Sequence, residues 1–117
     1  MADDKNCLFC KIARKEIPAK ILHEDDRCVA FHDINPQAPV HFLVIPKRHI
    51  PGLNEITPGD SDEIGHILQT IRELAKKTGI SGNGYRVINN VGSYGGQTVF
   101  HIHFHVLGGR ALAWPPG

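Results

Sequence analysis

The segment Val99–Leu107 alternates histidine and apolar residues over its central part. Because successive side chains of a β-strand point to opposite faces, this alternation predicts a strand with all its histidines on one face. β-Branched and aromatic side chains pack on a sheet better than imidazoles do, so three aligned histidines indicate a chemical use. The histidine face comprises His101, His103 and His105, and the apolar face comprises Ile102, Phe104 and Val106.

Two kinds of site would use such an array. In the first, His-x-His on a strand binds zinc together with a third histidine. In the second, an imidazole attacks phosphorus covalently, while its neighbours hold its tautomer and bind phosphate oxygens. The preceding loop, Asn90–Thr98, favours the second, because its three glycines let backbone N–H groups approach a phosphate closely. The chain lacks the Gly-x-x-x-x-Gly-Lys motif of P-loop enzymes.

Hydrophobic periodicity elsewhere predicts two helices and four further strands. A short helix is predicted over residues 8–15, and a long amphipathic helix from Thr57, its cap, to Thr78. The pattern indicates a single domain over residues 1–117, of the α+β class, with a five-stranded, mostly antiparallel sheet. The strand order cannot be read from it. Besides Val99–Leu107, the predicted strands are Lys20–His23, Arg27–His32, Phe42–Ile45 and Tyr85–Asn89.

The composition argues against several kinds of partner and compartment. A net charge of +1 gives no electrostatic reason to bind nucleic acid or a membrane surface, and no apolar run approaches the ~20 residues of a membrane span. The first six residues are polar and acidic, unlike a signal peptide, so we expect a cytoplasmic protein. Cys28 is expected to be a small buried residue, and His23, His32 and His66 are expected on the surface.

Cys7 and Cys10 form a Cys-x-x-Cys pair, which in a chain without a disulfide framework suggests metal or redox chemistry. A thioredoxin-like role does not fit, because no strand precedes the pair. A closed tetrahedral zinc site would need two further ligands.

Several motifs in order resemble the histidine triad (HIT) superfamily, in particular its nucleotide-binding branch. The strand His101–Leu107 resembles the His-x-His-x-His signature of that superfamily, and the other matching segments span nearly the whole chain. The resemblance implies a homodimer, with contacts through the long helix and the strand beside it. It also implies hydrolysis of purine nucleoside phosphoramidates, including AMP joined to a lysine amine. The other segments are Lys15–Lys20, Asp33–Pro39, His41–Lys47, Gly95–Gln97, Gly108–Arg110 and Trp114–Gly117.

The same resemblance assigns site residues to this chain. It implies that His103 is the nucleophile, that His105 binds phosphate oxygens, and that His105 or His41 helps to protonate the leaving amine. It implies that Asp33 binds the ribose hydroxyls and that no metal is needed for catalysis. The remaining nucleotide-binding residues implied are Phe9, Ile12, Phe31, Ile34, Leu43, Asn90, Gly96, Gln97 and Thr98.

Some members of the family bind a structural zinc through a Cys-x-x-Cys pair, and this implies a ligand set of Cys7, Cys10, His49 and His101. Three other interpretations stay open at this stage. The first is a dinucleoside polyphosphate hydrolase with the same nucleophile, which Asp33–Pro39 and Trp114–Gly117 disfavour. The second is a hydrolase with zinc bound by the three aligned histidines. The third is a nucleotide-binding regulatory module.

Overall fold

A computed structural model of the chain describes residues 5–117. It contains five strands and two α-helices, and the fold is α+β, as predicted. The order in the sheet is β1-β2-β3-β5-β4, with every neighbouring pair antiparallel. The elements are α1 (Leu8–Ala13), β1 (Ile21–Glu24), β2 (Cys28–His32), β3 (Val40–Pro46), α2 (Ser61–Lys77), β4 (Tyr85–Ile88) and β5 (Phe104–Gly108).

The strand β5 is shorter than the predicted Val99–Leu107, because its first half does not pair with the sheet. Val44 is opposite Phe104, so Pro46 would come opposite Ile102. A proline has no N–H to donate, and the ladder therefore ends there. The N–H of Ile102 instead donates to the carbonyl of Ile50 at 2.6 Å. The predicted strand is thus wrong in length, although its two faces are as predicted.

Each face of the sheet carries its own apolar cluster. On one face, α2 packs Ile67, Ile71 and Leu74 against the apolar side of β5. On the other face, α1 packs Phe9 and Ile12 against β2 and β3. The histidines of the triad segment belong to the α1 face, because they alternate with the buried apolar residues.

Both helices begin and end close to the predicted positions. Thr57 and Asp60 form a capping box, and Pro58–Asp60 is a single 3₁₀ turn that leads into α2. The short helix α1 ends at Ala13, two residues before its predicted end, and Lys15 adopts a positive φ of 64°. Within residues 5–117, no helix combines the length and the apolar character that crossing a membrane requires. The opening residues 1–4, used above for the compartment prediction, lie outside the described part.

Candidate active site

His103 is the residue whose surroundings best suit a nucleophile. Its Nδ1 lies 2.8 Å from the backbone carbonyl of His101. A carbonyl can only accept, so Nδ1 carries the proton and Nε2 keeps a free lone pair. The ring is buried, with the edge of Phe9 packed against it at a centroid distance of 5.0 Å. Burial lowers the pKa of His103, which keeps the imidazole neutral and nucleophilic.

His41 and His105 form a hydrogen-bonded pair beside His103. They lie on neighbouring strands, where Leu43 is opposite His105, and the ring nitrogens His41 Nε2 and His105 Nδ1 are 2.9 Å apart. The backbone N–H of Gln37 donates to His41 Nδ1 at 3.0 Å. His41 therefore carries its proton on Nε2 and donates it to His105, which in turn presents an Nε2–H donor.

The electrostatics of the pair keep both rings neutral. Burial lowers the pKa of His41. Burial, and then the neighbouring His103 and His41, lower the pKa of His105 to about 4. The centroids of His103 and His105 are 5.2 Å apart. A bare nitrogen and an N–H donor thus lie side by side, as attack on a phosphorus and binding of its oxygen require.

Asp33 lies directly after β2, at the edge of this histidine pair. Its Oδ1 accepts from the N–H of Asn35 at 2.8 Å, which is the turn geometry expected of Asp before Asn-Pro. Its Oδ2 is 3.4 Å from His41 Nε2. The side chain is partly exposed, so carboxylate oxygens remain accessible to a ligand.

A cavity of about 820 Å³ adjoins Asp33 and His41, within the range of small-molecule sites. Ile34 stands fully exposed at its rim, and His32, which the sequence did not assign to a site, also contributes to the wall. The side chains of the predicted apolar slot are 4–8% exposed and form part of the cluster under α1. Those residues are Phe9, Ile12, Phe31 and Leu43.

The glycine-rich loop is held mainly by its own hydrogen bonds. The N–H groups of Gly96 and Gln97 donate to the carbonyls of Ser93 and Gly92 at 3.1 and 2.9 Å. Asn90 Nδ2 donates to the carbonyl of Gly95 at 2.7 Å. The backbone N–H groups of Gly96 and Gln97, two of the three residues predicted to bind phosphate here, are therefore engaged within the turn.

The side chains of Gln97 and Thr98, at the end of this loop, differ in burial. Gln97 is buried, and its side chain donates to the carbonyl of Pro51 at 2.8 Å and accepts from Gly92. Thr98 is exposed. The glycine pattern alone could not separate a turn with internal bonds from an open anion-binding nest.

Asn89 is a residue that the sequence reasoning missed. Its Nδ2 donates to the backbone carbonyl of His103 at 2.9 Å, which ties the triad segment to the end of β4. Its Oδ1 is buried, with no hydrogen-bond partner within residues 5–117. Buried amide oxygens rarely lack a hydrogen-bond partner, and a catalytic role is one reason for such an exception. Only the strand order, which brings β4 beside β5, reveals this contact.

We expect Asn89→Leu, which keeps the shape and removes both polar atoms, to lower kcat about fivefold to tenfold. The reason is that one hydrogen bond holding His103 is lost, worth about 1 kcal/mol, or a factor of about five. Steady-state kinetics of the variant and the wild type measure this. The matched control is Asn83→Leu in the exposed turn before β4, which should leave kcat unchanged. An Asn89→Leu enzyme as fast as the wild type would show that Asn89 has no positioning role.

The four residues of the predicted zinc set come together in the structure. Cys7 Sγ and Cys10 Sγ lie 3.3 and 3.4 Å from His101 Nδ1, and Cys10 Sγ lies 3.3 Å from His49 Nδ1. All four residues are buried, and their ligand atoms lie within 4.8 Å of one another.

The hydrogen bonding of this cluster suits a metal. His101 Nε2 donates to the carbonyl of Pro46 at 2.8 Å, so the Nδ1 that faces the sulfurs is unprotonated. Such an outer hydrogen bond is typical of metal-bound histidines. Two thiols and two imidazoles at these spacings fit the edges of a tetrahedral zinc site.

The triad histidines do not converge on one point. In the described part of the chain, His101 groups with the two cysteines and His49, whereas His105 groups with Asp33 and His41. His103 has its Nδ1 bonded to a carbonyl. This arrangement disfavours a hydrolase with zinc bound by the three triad histidines.

Comparison with known proteins agrees with this geometry. Residues 14–112 match the HIT domain. An uncharacterized HIT-like protein of Synechocystis sp. is 53% identical, over 100% of both chains. A HIT family hydrolase from Legionella pneumophila has 54% identity and a TM-score of 0.95, over 96% of this chain and 100% of that one. A histidine triad nucleotide-binding protein from Candida albicans has 35% identity and a TM-score of 0.81, over 94% and 83%.

Proposed function

Because the chain belongs to the HIT domain family, we propose that it hydrolyses purine nucleoside phosphoramidates to a nucleoside monophosphate and an amine. The observation that carries the proposal is the pairing of a neutral His103, bare at Nε2, with a fixed N–H donor on His105. The relatives support hydrolysis and nucleotide binding, since one solved structure is described as a hydrolase and another as nucleotide-binding.

The reaction proceeds in two displacements. His103 Nε2 attacks the α-phosphorus, the P–N bond breaks, and a nucleotidyl-histidine forms. Water then attacks the same phosphorus, releasing the nucleoside monophosphate and restoring the imidazole. Two displacements with lower barriers replace one difficult hydrolysis. The Nε2–H of His105 donates to a non-bridging oxygen as negative charge grows on it.

The hydrogen bonds of His41 and His105 also bear on which group supplies the proton to the leaving amine. The single proton of His41 lies between His105 Nδ1 and Asp33, and its Nδ1 is occupied by the Gln37 amide. Neutral His41 and His105 therefore act as a fixed donor array, because giving up their only ring proton would leave an imidazolate. The amine nitrogen becomes basic as the P–N bond breaks, and we infer that it takes its proton from water at the open mouth of the site.

The nucleoside is proposed to occupy the cavity beside Asp33. The Asp33 carboxylate accepts from the ribose hydroxyls, and the exposed side chain of Ile34 packs against the base. The ring of the buried slot residue Phe9 packs against His103, and Leu43 lies in the same apolar cluster as Phe9. Asn90 and Gln97 shape the phosphate side through their loop contacts, and Thr98 is the donor proposed to reach the phosphate.

Competing substrates test the proposal. Adenosine 5′-phosphoramidate carrying a fluorescent amine and a diadenosine polyphosphate would each be given to the untagged protein, and the products separated by chromatography. We expect release of AMP and amine, with kcat/KM for the phosphoramidate at least tenfold higher. Preference for the polyphosphate would move the assignment to dinucleoside polyphosphate hydrolysis. Binding of AMP without any turnover would instead support a regulatory binding module.

The pH dependence gives a second test of the neutral nucleophile. Burial lowers the pKa of His103 below its usual 6.5, and the pKa of His105 to about 4. The active neutral form therefore persists above these lowered values and is lost as the pH falls through them. We expect the acid-side midpoint of the kcat/KM profile to lie below 6.5, with kcat/KM level above it and falling at more acidic pH. A decline centred near 6.5 or above would contradict a buried neutral nucleophile.

We also propose a homodimer formed through the β4 edge and the outer side of α2. β4 ends the sheet, and Val87 on it and Leu68 on α2 are 41% and 50% exposed. An open strand edge beside apolar side chains favours association. Light scattering after size exclusion should report a dimer that Val87→Lys converts to a monomer. Ile21→Lys on the opposite edge, β1, is the control and should stay dimeric, whereas a wild-type monomer would refute this interface.

A further inference from the structure

The segment Gly108–Arg110, which begins at the last residue of β5, folds back onto the loop between β2 and β3. Gly109 adopts a positive φ of 90°, and a Cβ atom added there would lie 2.9 Å from the Cβ of Pro39. Glycine therefore allows the two segments to pack this closely. The packing brings the side chain of Arg110 against the residues that precede His41.

Arg110 binds the backbone carbonyl of Gln37 through two of its nitrogens. Its Nε and Nη2 donate to that oxygen at 3.2 and 2.9 Å, and its Nη1 donates to the carbonyl of Ala111 at 3.0 Å. A guanidinium stays charged in proteins and holds its N–H groups in one plane. The Gln37 carbonyl is thus held by a rigid and permanently charged group.

Gln37 connects this contact to the histidine pair. Its backbone N–H donates to His41 Nδ1 at 3.0 Å, and His41 Nε2 lies 2.9 Å from His105 Nδ1. The Gln37 side chain also donates to the carbonyl of Asn35 at 2.9 Å, within the same loop. The guanidinium, the Gln37 backbone and the two imidazoles therefore form one continuous chain of contacts.

The N–H of Gln37 decides which tautomer His41 adopts. While this N–H donates to Nδ1, the single proton of neutral His41 stays on Nε2 and is donated to His105. If Gln37 shifts, His41 can carry its proton on Nδ1 instead. His105 then loses the donor that keeps its own proton on Nε2, so the N–H that would face the substrate depends on where Gln37 is held.

We propose that Arg110 is a positioning residue for the hydrolysis, because by fixing Gln37 it holds His41 and His105 in the tautomers that present an Nε2–H donor. This inference rests on the proposed function, in which His105 donates to a non-bridging oxygen of the α-phosphate. Arg110 acts through Gln37 and does not itself contact the reacting atoms. Its loss slows the chemical step more than it weakens binding, since the donation from His105 strengthens as charge grows on the oxygen.

The chain on either side of Arg110 is held by other contacts. β5, which ends two residues earlier, pairs with β3 along its whole length. After it, Arg86 Nη2 donates to the carbonyls of Leu112 and Ala113 at 3.3 and 2.9 Å. Removing the Arg110 side chain therefore frees the Gln37 carbonyl without releasing the neighbouring backbone.

Nitrogen NMR of the histidine rings tests the tautomers directly. Wild type, Arg110→Met and Arg110→Lys would be prepared with isotope-labelled histidine and compared at neutral pH, because bare and protonated ring nitrogens have well-separated shifts. We expect His41 to carry its proton on Nε2 alone in the wild type and to show both tautomers in Arg110→Met. Arg110→Lys should keep most of the wild-type pattern, since an ammonium can still donate to the Gln37 carbonyl.

Steady-state kinetics with adenosine phosphoramidate measure the consequence for turnover. We expect Arg110→Met to lower kcat about tenfold and to change KM less than about twofold, as for the loss of one positioned hydrogen bond. Arg110→Lys should return kcat to within about threefold of the wild type. The matched control is Arg27→Met, at an exposed arginine in the β1–β2 turn, which should change neither kcat nor the tautomers.

Three results would overturn the proposal. The first is a wild-type tautomer pattern in Arg110→Met, and the second is an Arg110→Met enzyme that turns over as fast as an active wild type. The third is an equal loss in Arg27→Met, which would show a general effect of charge. If the wild type does not hydrolyse phosphoramidates, the proposed function fails, and the nitrogen spectra still decide whether Arg110 fixes the histidine pair.

Discussion

Replacing His103 by glycine is expected to lower kcat for phosphoramidate hydrolysis by at least about 10⁴-fold, since enzymes that lose a covalent nucleophile fall by this order. His103 is the histidine whose Nδ1–H is held by a carbonyl while its Nε2 stays bare. No other group on this face combines burial, a lowered pKa and a free lone pair in that way, among the residues the structure describes. Stopped-time assays with purified variant and wild type measure the loss.

Rescue by free imidazole separates lost chemistry from lost structure. The glycine variant leaves a ring-sized space beside Phe9, and added imidazole should enter it and restore part of the turnover. Alanine, which fills some of that space, should be rescued less. Mass spectrometry of wild-type enzyme quenched during turnover should show one added nucleotidyl group, absent from the glycine variant.

Two results would contradict the covalent route. One is substantial turnover by the glycine variant without imidazole. The other is a nucleotidyl adduct mapped to a residue other than His103. Circular dichroism and the melting temperature of the variant confirm that the fold persists, so that a loss of activity reports chemistry.

Much of the site could be predicted because side chains of the triad segment still alternate between the two faces where its hydrogen bonds to β3 have ended. His101, His103 and His105 keep to one face even where Pro46 ends the ladder. The pairing of His41 with His105 could not be derived from periodicity, since it depends on β3 lying next to β5. A strand order is set by packing across the whole sheet, which a local pattern does not contain.

The residues that sequence reasoning missed share the same cause. Asn89 reaches the His103 carbonyl only because β4 closes the sheet beside β5. His23 and His66, expected on the surface, are partly buried and meet at Asp25 only because α2 crosses the β1–β2 turn. In contrast, the proximity of Cys7, Cys10, His49 and His101 was predicted, because the family resemblance supplied the long-range contact that spacing along the chain could not.

We propose that the cluster of Cys7, Cys10, His49 and His101 binds a structural zinc, and we expect its loss to lower the melting temperature by about 10 °C or more and to leave catalysis largely intact. The cluster joins Cys7 and Cys10 on the α1 side to His49 after β3 and to His101 before β5. Zinc bound there is a cross-link among three segments. A structural zinc contributes a larger free energy of folding than this shift requires. Losing only about 2–3 kcal/mol of folding free energy lowers the melting temperature by this amount in a domain of this length.

Catalysis is expected to survive because the nucleophile is held by backbone. His103 Nδ1 donates to the carbonyl of His101, and that carbonyl stays in place while the chain is folded, whether or not the His101 ring binds metal. The assay compares Cys10→Ser, chelated wild type and zinc-loaded wild type, each well below its own melting temperature. We expect kcat values within about threefold of one another, and melting temperatures lower in the first two.

Each departure from this pattern has a definite meaning. If chelation removes activity from protein that is still folded, the zinc is catalytic and the nucleotidyl-histidine route is wrong. If Cys10→Ser and wild type melt together and bind the same amount of zinc, the cysteine cluster holds no metal. A stable, active Cys10→Ser protein would then show that the packing of α1 against Phe31 and Ile45 is enough to keep the nucleophile in place.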